Sequence, residues 1–148
     1  MQQIHPHQRC GIRRQNQTTR RNHRQQKRLN NFKIAKNFTL SEFESPDTGE
    51  VKISSHMVFL LQRLRDKINA PIISLSGYRT PEHNKKIGGA VNSLHMQGMA
   101  ADITCRVLTA VNLALRARIA GFPGIICYVR HNFIHVDIRD KRLFKFIK

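Results

Sequence analysis

Apolar residues recur at helical intervals at Met57, Leu60, Leu61, Leu64 and Ile68, behind Ser54 and Ser55 and with Arg63, Arg65 and Lys67 off the stripe, which predicts an amphipathic core helix. Pro71 ends it, and Ile72-Ile73-Ser74-Leu75-Ser76 reads as a strand leading to a turn at Gly77. Thr80-Pro81 supplies a cap and a proline at the first helical position, predicting a short helix to about Ile87. Gly88-Gly89 breaks that helix and opens a loop through Gly98, after which Ala100 to Cys105 suits a second strand. Thr109 to Ala120 reads as another helix, with Val111, Leu115 and Ile119 at helical spacing and Gly121 as its stop. Ile125 to Tyr128 and Phe133 to Ile138 read as two strands joined by a tight turn around Arg130, His131 and Asn132. Nearer the N-terminus, Thr39-Leu40-Ser41-Glu42 has capping-box spacing, predicting a short helix that carries Phe43 inward, and Asp47-Thr48-Gly49-Glu50 is a turn. The order of helix, strand, helix, strand, helix and hairpin predicts an α+β fold with a small, mainly antiparallel sheet flanked by helices.

A chain of 148 residues with 40% apolar side chains buries one modest core. Residues 1–31 are rich in Gln, Asn, Arg and His and poor in large apolar side chains, so they are expected to form a disordered tail. The expected division is a basic tail over 1–36 and a folded domain over 37–148. Of the net charge of +17, the tail carries +10 with no Asp or Glu, and the body +7. A tail of this kind attracts polyanions, which include nucleic acid and the anionic polymers of a bacterial wall. It contains no apolar run of even about seven residues, so no Sec-type signal peptide is visible and synthesis in the cytoplasm is expected. No stretch approaches the roughly 20 apolar residues of a membrane span. Cys10, Cys105 and Cys127 are an odd number without CxxC spacing, which argues against a disulfide framework or a cysteine-built zinc site.

Eight histidines need geometry to select among them. His5, His7 and His23 fall in the tail, and His56 and His83 read as solvent-facing helix residues. His95 lies on the loop Ser93-Leu94-His95-Met96-Gln97-Gly98, seven residues before Asp102, and the small residues Gly98, Ala100 and Ala101 let the chain turn so that both side chains converge. Such a pair arises freely by chance; a third donor from a distant strand gives it weight. In Phe133-Ile134-His135-Val136-Asp137 the period of two sets His135 and Asp137 on one face and Ile134 and Val136 on the other. His95, Asp102 and His135 together would hold one zinc ion with an open coordination position, as catalytic sites do. A carboxylate beside the metal then serves as base or merely orients a histidine, and Asp137 is open to either role. Arg79 is either a substrate-carboxylate partner or a surface arginine.

Ser76-Gly77-Tyr78-Arg79-Thr80-Pro81, then Ser93-Leu94-His95-Met96-Gln97-Gly98-Met99-Ala100-Ala101-Asp102, then Phe133-Ile134-His135-Val136-Asp137 resemble the zinc D-Ala-D-Ala carboxypeptidases and related phage endolysins of the Hedgehog/DD-peptidase fold. The resemblance covers roughly residues 37–139. It implies that His95, Asp102 and His135 bind Zn2+, that Arg79 orients substrate or stabilises the developing oxyanion, and that Ser93 supports the ligand loop. It also implies a monomeric peptidase that hydrolyses peptidoglycan peptides and acts at the cell wall. Without an export signal, such an enzyme suits phage or prophage lysis. Many relatives carry an acid three residues before the last histidine ligand, where this chain has Asn132. Asp137 is then the first candidate base and His131 the second. Loss of that acid also suits a non-catalytic, zinc-containing wall-binding module.

Overall fold

The computed structural model describes residues 29–148, so the readings made for the tail before residue 29, with Cys10, His5, His7 and His23, lie outside the described residues. The packed chain reaches further toward the N-terminus than residue 37. Asn30 is buried and its side-chain amide donates to Glu44 Oε1 and to the Gly49 carbonyl, each at 3.0 Å. Two short antiparallel strands follow, β1 (Lys33–Ala35) and β2 (Phe38–Thr39). The helix expected after Thr39 is a single 3-10 turn over Leu40–Phe43. The Thr39 N–H donates to Glu42 Oε1 at 2.7 Å, and Phe43 is buried as expected.

The main sheet has five strands in the order β3-β4-β6-β5-β7: β3 (Ile73–Ser76), β4 (Ala100–Thr104), β5 (Gly124–Tyr128), β6 (Phe133–Asp137) and β7 (Leu143–Ile147). Every pairing is antiparallel except that of β5 with β7, which is parallel. The fold is thus α+β with a small, mainly antiparallel sheet. β7 goes unread in the hydrophobic pattern, although Leu143-Phe144-Lys145-Phe146-Ile147 sets its two phenylalanines on one face.

Strand alternation divides the sheet into two faces. Ala101 and Ile103 of β4, Ile125 and Cys127 of β5, and Ile134 and Val136 of β6 are fully buried in the core. Asp102, Ile126, Tyr128, Phe133 and His135 rise from the opposite, half-exposed face. Cys105 and Cys127 are buried, unpaired thiols, and burial pushes the Cys127 thiol up.

Helix α1 (Ser55–Ile68) buries Met57, Leu60, Leu61 and Leu64 and ends at Asn69, whose φ of 52° gives the left-handed stop that Gly or Asn commonly supplies. Helix α2 (Pro81–Lys86) starts as read, the Thr80 hydroxyl accepting from the His83 N–H at 3.1 Å. Helix α3 (Ala110–Ala120) differs from its reading. Its buried face is Ala110, Leu113, Ala114, Ala117 and Ala120, whereas Leu115 and Ile119 are exposed and Val111 only half-buried. Small side chains let α3 pack closely against α1 and the sheet, a demand of backbone proximity that a search for large apolar residues does not detect.

Candidate metal centre

Each metal-ligand candidate is delivered by a local device. His95 sits buried in a 3-10 turn over Leu94–Gln97 that ends at Gly98, with φ of 69°. A β-carbon at 98 would come within 2.6 Å of the Lys52 carbonyl group, and the Gly98 carbonyl accepts from the Ser54 N–H at 2.9 Å. Glycine is required there by conformation and by space. Asp102 and His135 are direct register partners in β4 and β6, so their side chains rise together from the open face.

The three side chains converge, with one ligand atom from each lying within 4.8 Å of the others. His95 Nδ1 donates to the Gly77 carbonyl at 2.7 Å, leaving Nε2 as an acceptor. Gly77 in turn has no room for a side chain, since a β-carbon would lie 2.5 Å from Phe43 Cα. His135 Nε2 lies 3.0 Å from Asp137 Oδ2, an arrangement in which the ring N–H donates and Nδ1 is left as an acceptor. The two free nitrogens and Asp102 Oδ1 then face one another, His135 Nδ1 at 2.9 Å and His95 Nε2 at 3.3 Å from the oxygen and 3.2 Å between the nitrogens. Three lone pairs pointed at one another require a cation among them, and two imidazoles with one carboxylate are a donor set that suits zinc.

Electrostatics follow from this convergence. Burial alone would raise the Asp102 carboxyl, but with a proton shared into the cluster the contacts with His135 and His95 outweigh it and hold the group well below the usual carboxylate range. For His135, burial opposes protonation, yet the hydrogen bonds to Asp102 and Asp137 outweigh it and push the imidazole up. In the absence of metal, a proton on His135 is the cation that this geometry favours.

Arg79 meets Asp102 rather than standing free at a loop. Its Nη2 lies 2.5 Å from Asp102 Oδ2 and its Nε donates to Ser76 Oγ at 2.9 Å. Asp102 thus presents one oxygen to the histidines and the other to the guanidinium.

Asp137 is fully buried, with both oxygens engaged. Oδ2 takes the His135 N–H, Oδ1 accepts from the Arg139 backbone N–H at 3.1 Å and from Arg139 Nε at 2.8 Å, and Arg139 Nη2 also donates to Oδ2. Burial is again outweighed, here by the hydrogen bonds from Arg139 and His135, and the carboxyl lies well below its usual range. Arg139 carries no motif of its own in the sequence, although His135, Asp137 and Arg139 follow one another at the strand period of two.

Asn132 is turned to structural work. It adopts φ of 50° in the β5–β6 turn, and its Oδ1 accepts from the Ala110 N–H at 2.7 Å, satisfying a free donor at the start of α3. His131 is exposed, its ring centroid 6.3 Å from that of Phe133, and it makes no hydrogen bond to the metal cluster. The Ser93 carbonyl accepts from the Met96 N–H at 3.1 Å, which ties the ligand turn together through the backbone. His56 is exposed and His83 half-buried, both away from the cluster.

A half-open sheet face carrying two imidazoles and a carboxylate, with a buried carboxylate behind one imidazole, is a set of groups that could hold a metal ion. A sequence model of the Peptidase M15 family matches residues 30–137, more than half of the chain. The protein therefore belongs to the Peptidase M15 family, the family of zinc D-Ala-D-Ala carboxypeptidases, and its Hedgehog/DD-peptidase-like fold fits that membership. No individually curated protein matches the sequence. Among the described residues no helix is long and apolar enough to cross a membrane.

Proposed function

We propose that the protein is a zinc-dependent peptidase that hydrolyses D-Ala-containing peptide bonds of peptidoglycan in the manner of a DD-carboxypeptidase, at the cell wall, in phage or prophage lysis. The observation that carries this reading is the convergence of the His95, Asp102 and His135 donor atoms in a chain of the Peptidase M15 family. Bound there, zinc would act as a Lewis acid on the scissile carbonyl and make water a better nucleophile near neutral pH.

The side chains divide the remaining work. Asp137 orients His135 and is not the base, because Arg139 and His135 occupy both of its oxygens and hold its proton affinity low. Arg79 fixes Asp102 through Nη2, and its Nη1 has no protein partner among the described residues, which supports a role toward a substrate carboxylate or the developing oxyanion. With Asn132 committed to α3, His131, on the exposed turn that leads into β6, is left as the candidate proton acceptor, although it makes no hydrogen bond to the cluster. In that role His131 would take the proton of the water that adds to the carbonyl carbon and return it to the leaving amine as the C–N bond breaks. The His95 turn, held by the Ser93 backbone, keeps the ligand loop in place as substrate enters.

A second reading, a zinc-containing wall-binding module without turnover, is favoured by the use of Asn132 as a helix cap where relatives carry an acid. Mass spectrometry of wall peptides after incubation with the zinc-loaded protein separates the two. Loss of one D-Ala per peptide is the expected result, and conversion of dimers to monomers would make the protein an endopeptidase. Unchanged peptides with one zinc bound would leave the binding module, and a protein that takes up no zinc would overturn both.

A further inference from the structure

β7 extends the sheet beyond the metal cluster, and strand register decides which of its side chains share the cluster's face. Asp102 of β4 pairs with His135 of β6, His135 with Ile126 of β5, and Ile126 with Lys145 of β7. Register partners project to the same side of a sheet, so these four residues form one row across it. At about 4.8 Å per strand, the backbone of Lys145 lies about 10 Å from that of His135. The neighbouring residue agrees with this placement: Phe144 pairs with the buried Ile125 and packs against the core, which puts Lys145 on the opposite face, where it is exposed.

The adjacent row is apolar. Phe133, Tyr128 and Ile147 are register partners and half-buried, and the Phe133 and Tyr128 rings stack with centroids 4.5 Å apart and planes 15° apart. From the cluster outward, the face is therefore a shelf of Ile126, Tyr128, Phe133 and Ile147 ending at an ammonium group. Among the described residues no carboxylate forms an ion pair with Lys145, and residues 1–28 contain no Asp or Glu. Arg79 lies on the other side of the cluster, toward β3.

We infer that Lys145 is a specificity residue that takes a carboxylate of the acyl-side peptide lying across this shelf. The inference rests on the peptidase reading. An extended chain advances about 3.3–3.6 Å per residue, so a peptide with its scissile carbonyl at the cluster brings a group about two residues away within reach of the lysine side chain. The favoured substrate is thus an acidic peptide with a free carboxylate at that distance, held by charge at one end and by apolar contact between.

The test uses two synthetic pentapeptides ending in D-Ala-D-Ala, identical except that a carboxylate two residues before the first D-Ala is free in one and amidated in the other. Binding is read by calorimetry with zinc-loaded protein and versions of both peptides in which the scissile amide is reduced, so that no turnover occurs. Wild type should bind the free acid roughly 3- to 5-fold more tightly, the scale of an exposed ion pair, with the difference shrinking in high salt. Lys145→Met should abolish the preference and Lys145→Arg retain it. Equal affinities in wild type, or a preference unchanged in Lys145→Met, would overturn the inference and leave Lys145 as a charge guarding an edge strand. Turnover of the unreduced peptides separates the two levels. Preference without cleavage refutes the peptidase reading alone, and cleavage without preference refutes the role of Lys145 alone.

Discussion

Gly124 stands directly opposite Asp137 in the β5–β6 ladder, and the Asp137 carboxylate fills the space that a β-carbon at position 124 would need. Gly124→Ala should therefore displace the group that orients His135. The expected result is a 10- to 100-fold loss of zinc affinity in a competition titration, the scale of a lost partner behind a metal ligand. Overpacking should also lower unfolding stability by about 1–3 kcal/mol. Unchanged zinc affinity would show that the His135 ring is held by other contacts.

Asp137→Asn separates the orienting role from that of a base. Asn keeps an oxygen for the His135 N–H but loses the charge that faces Arg139. If Asp137 only orients, zinc affinity drops while kcat at saturating zinc stays within about tenfold of wild type. A general base would cost roughly 10²- to 10⁴-fold in kcat however much zinc is supplied. Under the proposed assignment, His131→Ala is the variant that shows the larger loss.

Asn132→Ala removes the acceptor for the Ala110 N–H and puts a β-branchless but chiral residue at φ of 50°. Loss of the cap should lower stability by about 0.5–2 kcal/mol in denaturant titrations. Asn132→Gly, which suits the left-handed backbone, should lose less. Both variants should bind one zinc, and a loss of zinc stoichiometry in either would mean that Asn132 reaches the site.

Stability of the metal-free protein should fall as pH rises from 6 to 9. The His135 imidazole is pushed above its ordinary value of 6.5, because hydrogen bonds to Asp102 and Asp137 outweigh burial, so its contribution is complete below 6.5 and is lost as pH rises through the higher folded value. Asp102 and Asp137 act in the opposite sense. Their carboxyls are held below the ordinary 3.8, so they stabilise above that pH and the benefit is lost as pH falls through their lower folded values. Scanning calorimetry should thus find a plateau near pH 4 to 6.5 in the metal-free protein, and zinc should remove the alkaline decline by replacing the proton. An equal alkaline decline in His135→Gln would clear His135 as its cause.

The parts of this molecule that were legible in the sequence are those governed by short-range rules. The Met57 to Ile68 stripe, the Thr80-Pro81 cap and the alternation through His135 each declare themselves within a few residues. His95, Asp102 and His135 were readable because their spacing carries a motif. What was not legible depends on register between distant strands or on space. Nothing local marks Gly124 as the neighbour of Asp137, or Asn132 as the cap of a helix some twenty residues earlier. The alanine face of α3 escapes the hydrophobic pattern because tight packing selects for small side chains, which carry little hydropathic signal. Arg139 continues the period of two beyond His135 and Asp137 and is in that sense legible in the sequence.

The parallel strand β7 joins the sheet beyond residue 137, where the family match ends, and its Lys145 shares one row across the sheet with Ile126, His135 and Asp102. If the proposed roles hold, chemistry and selectivity are carried by separate stretches of the chain. Mutations at Lys145 or Ile147 would then retune what lies across the shelf while leaving every metal-ligand candidate in place. Such a division would let a lineage change its preferred peptide by small steps in one edge strand, with no intermediate that must first give up hydrolysis.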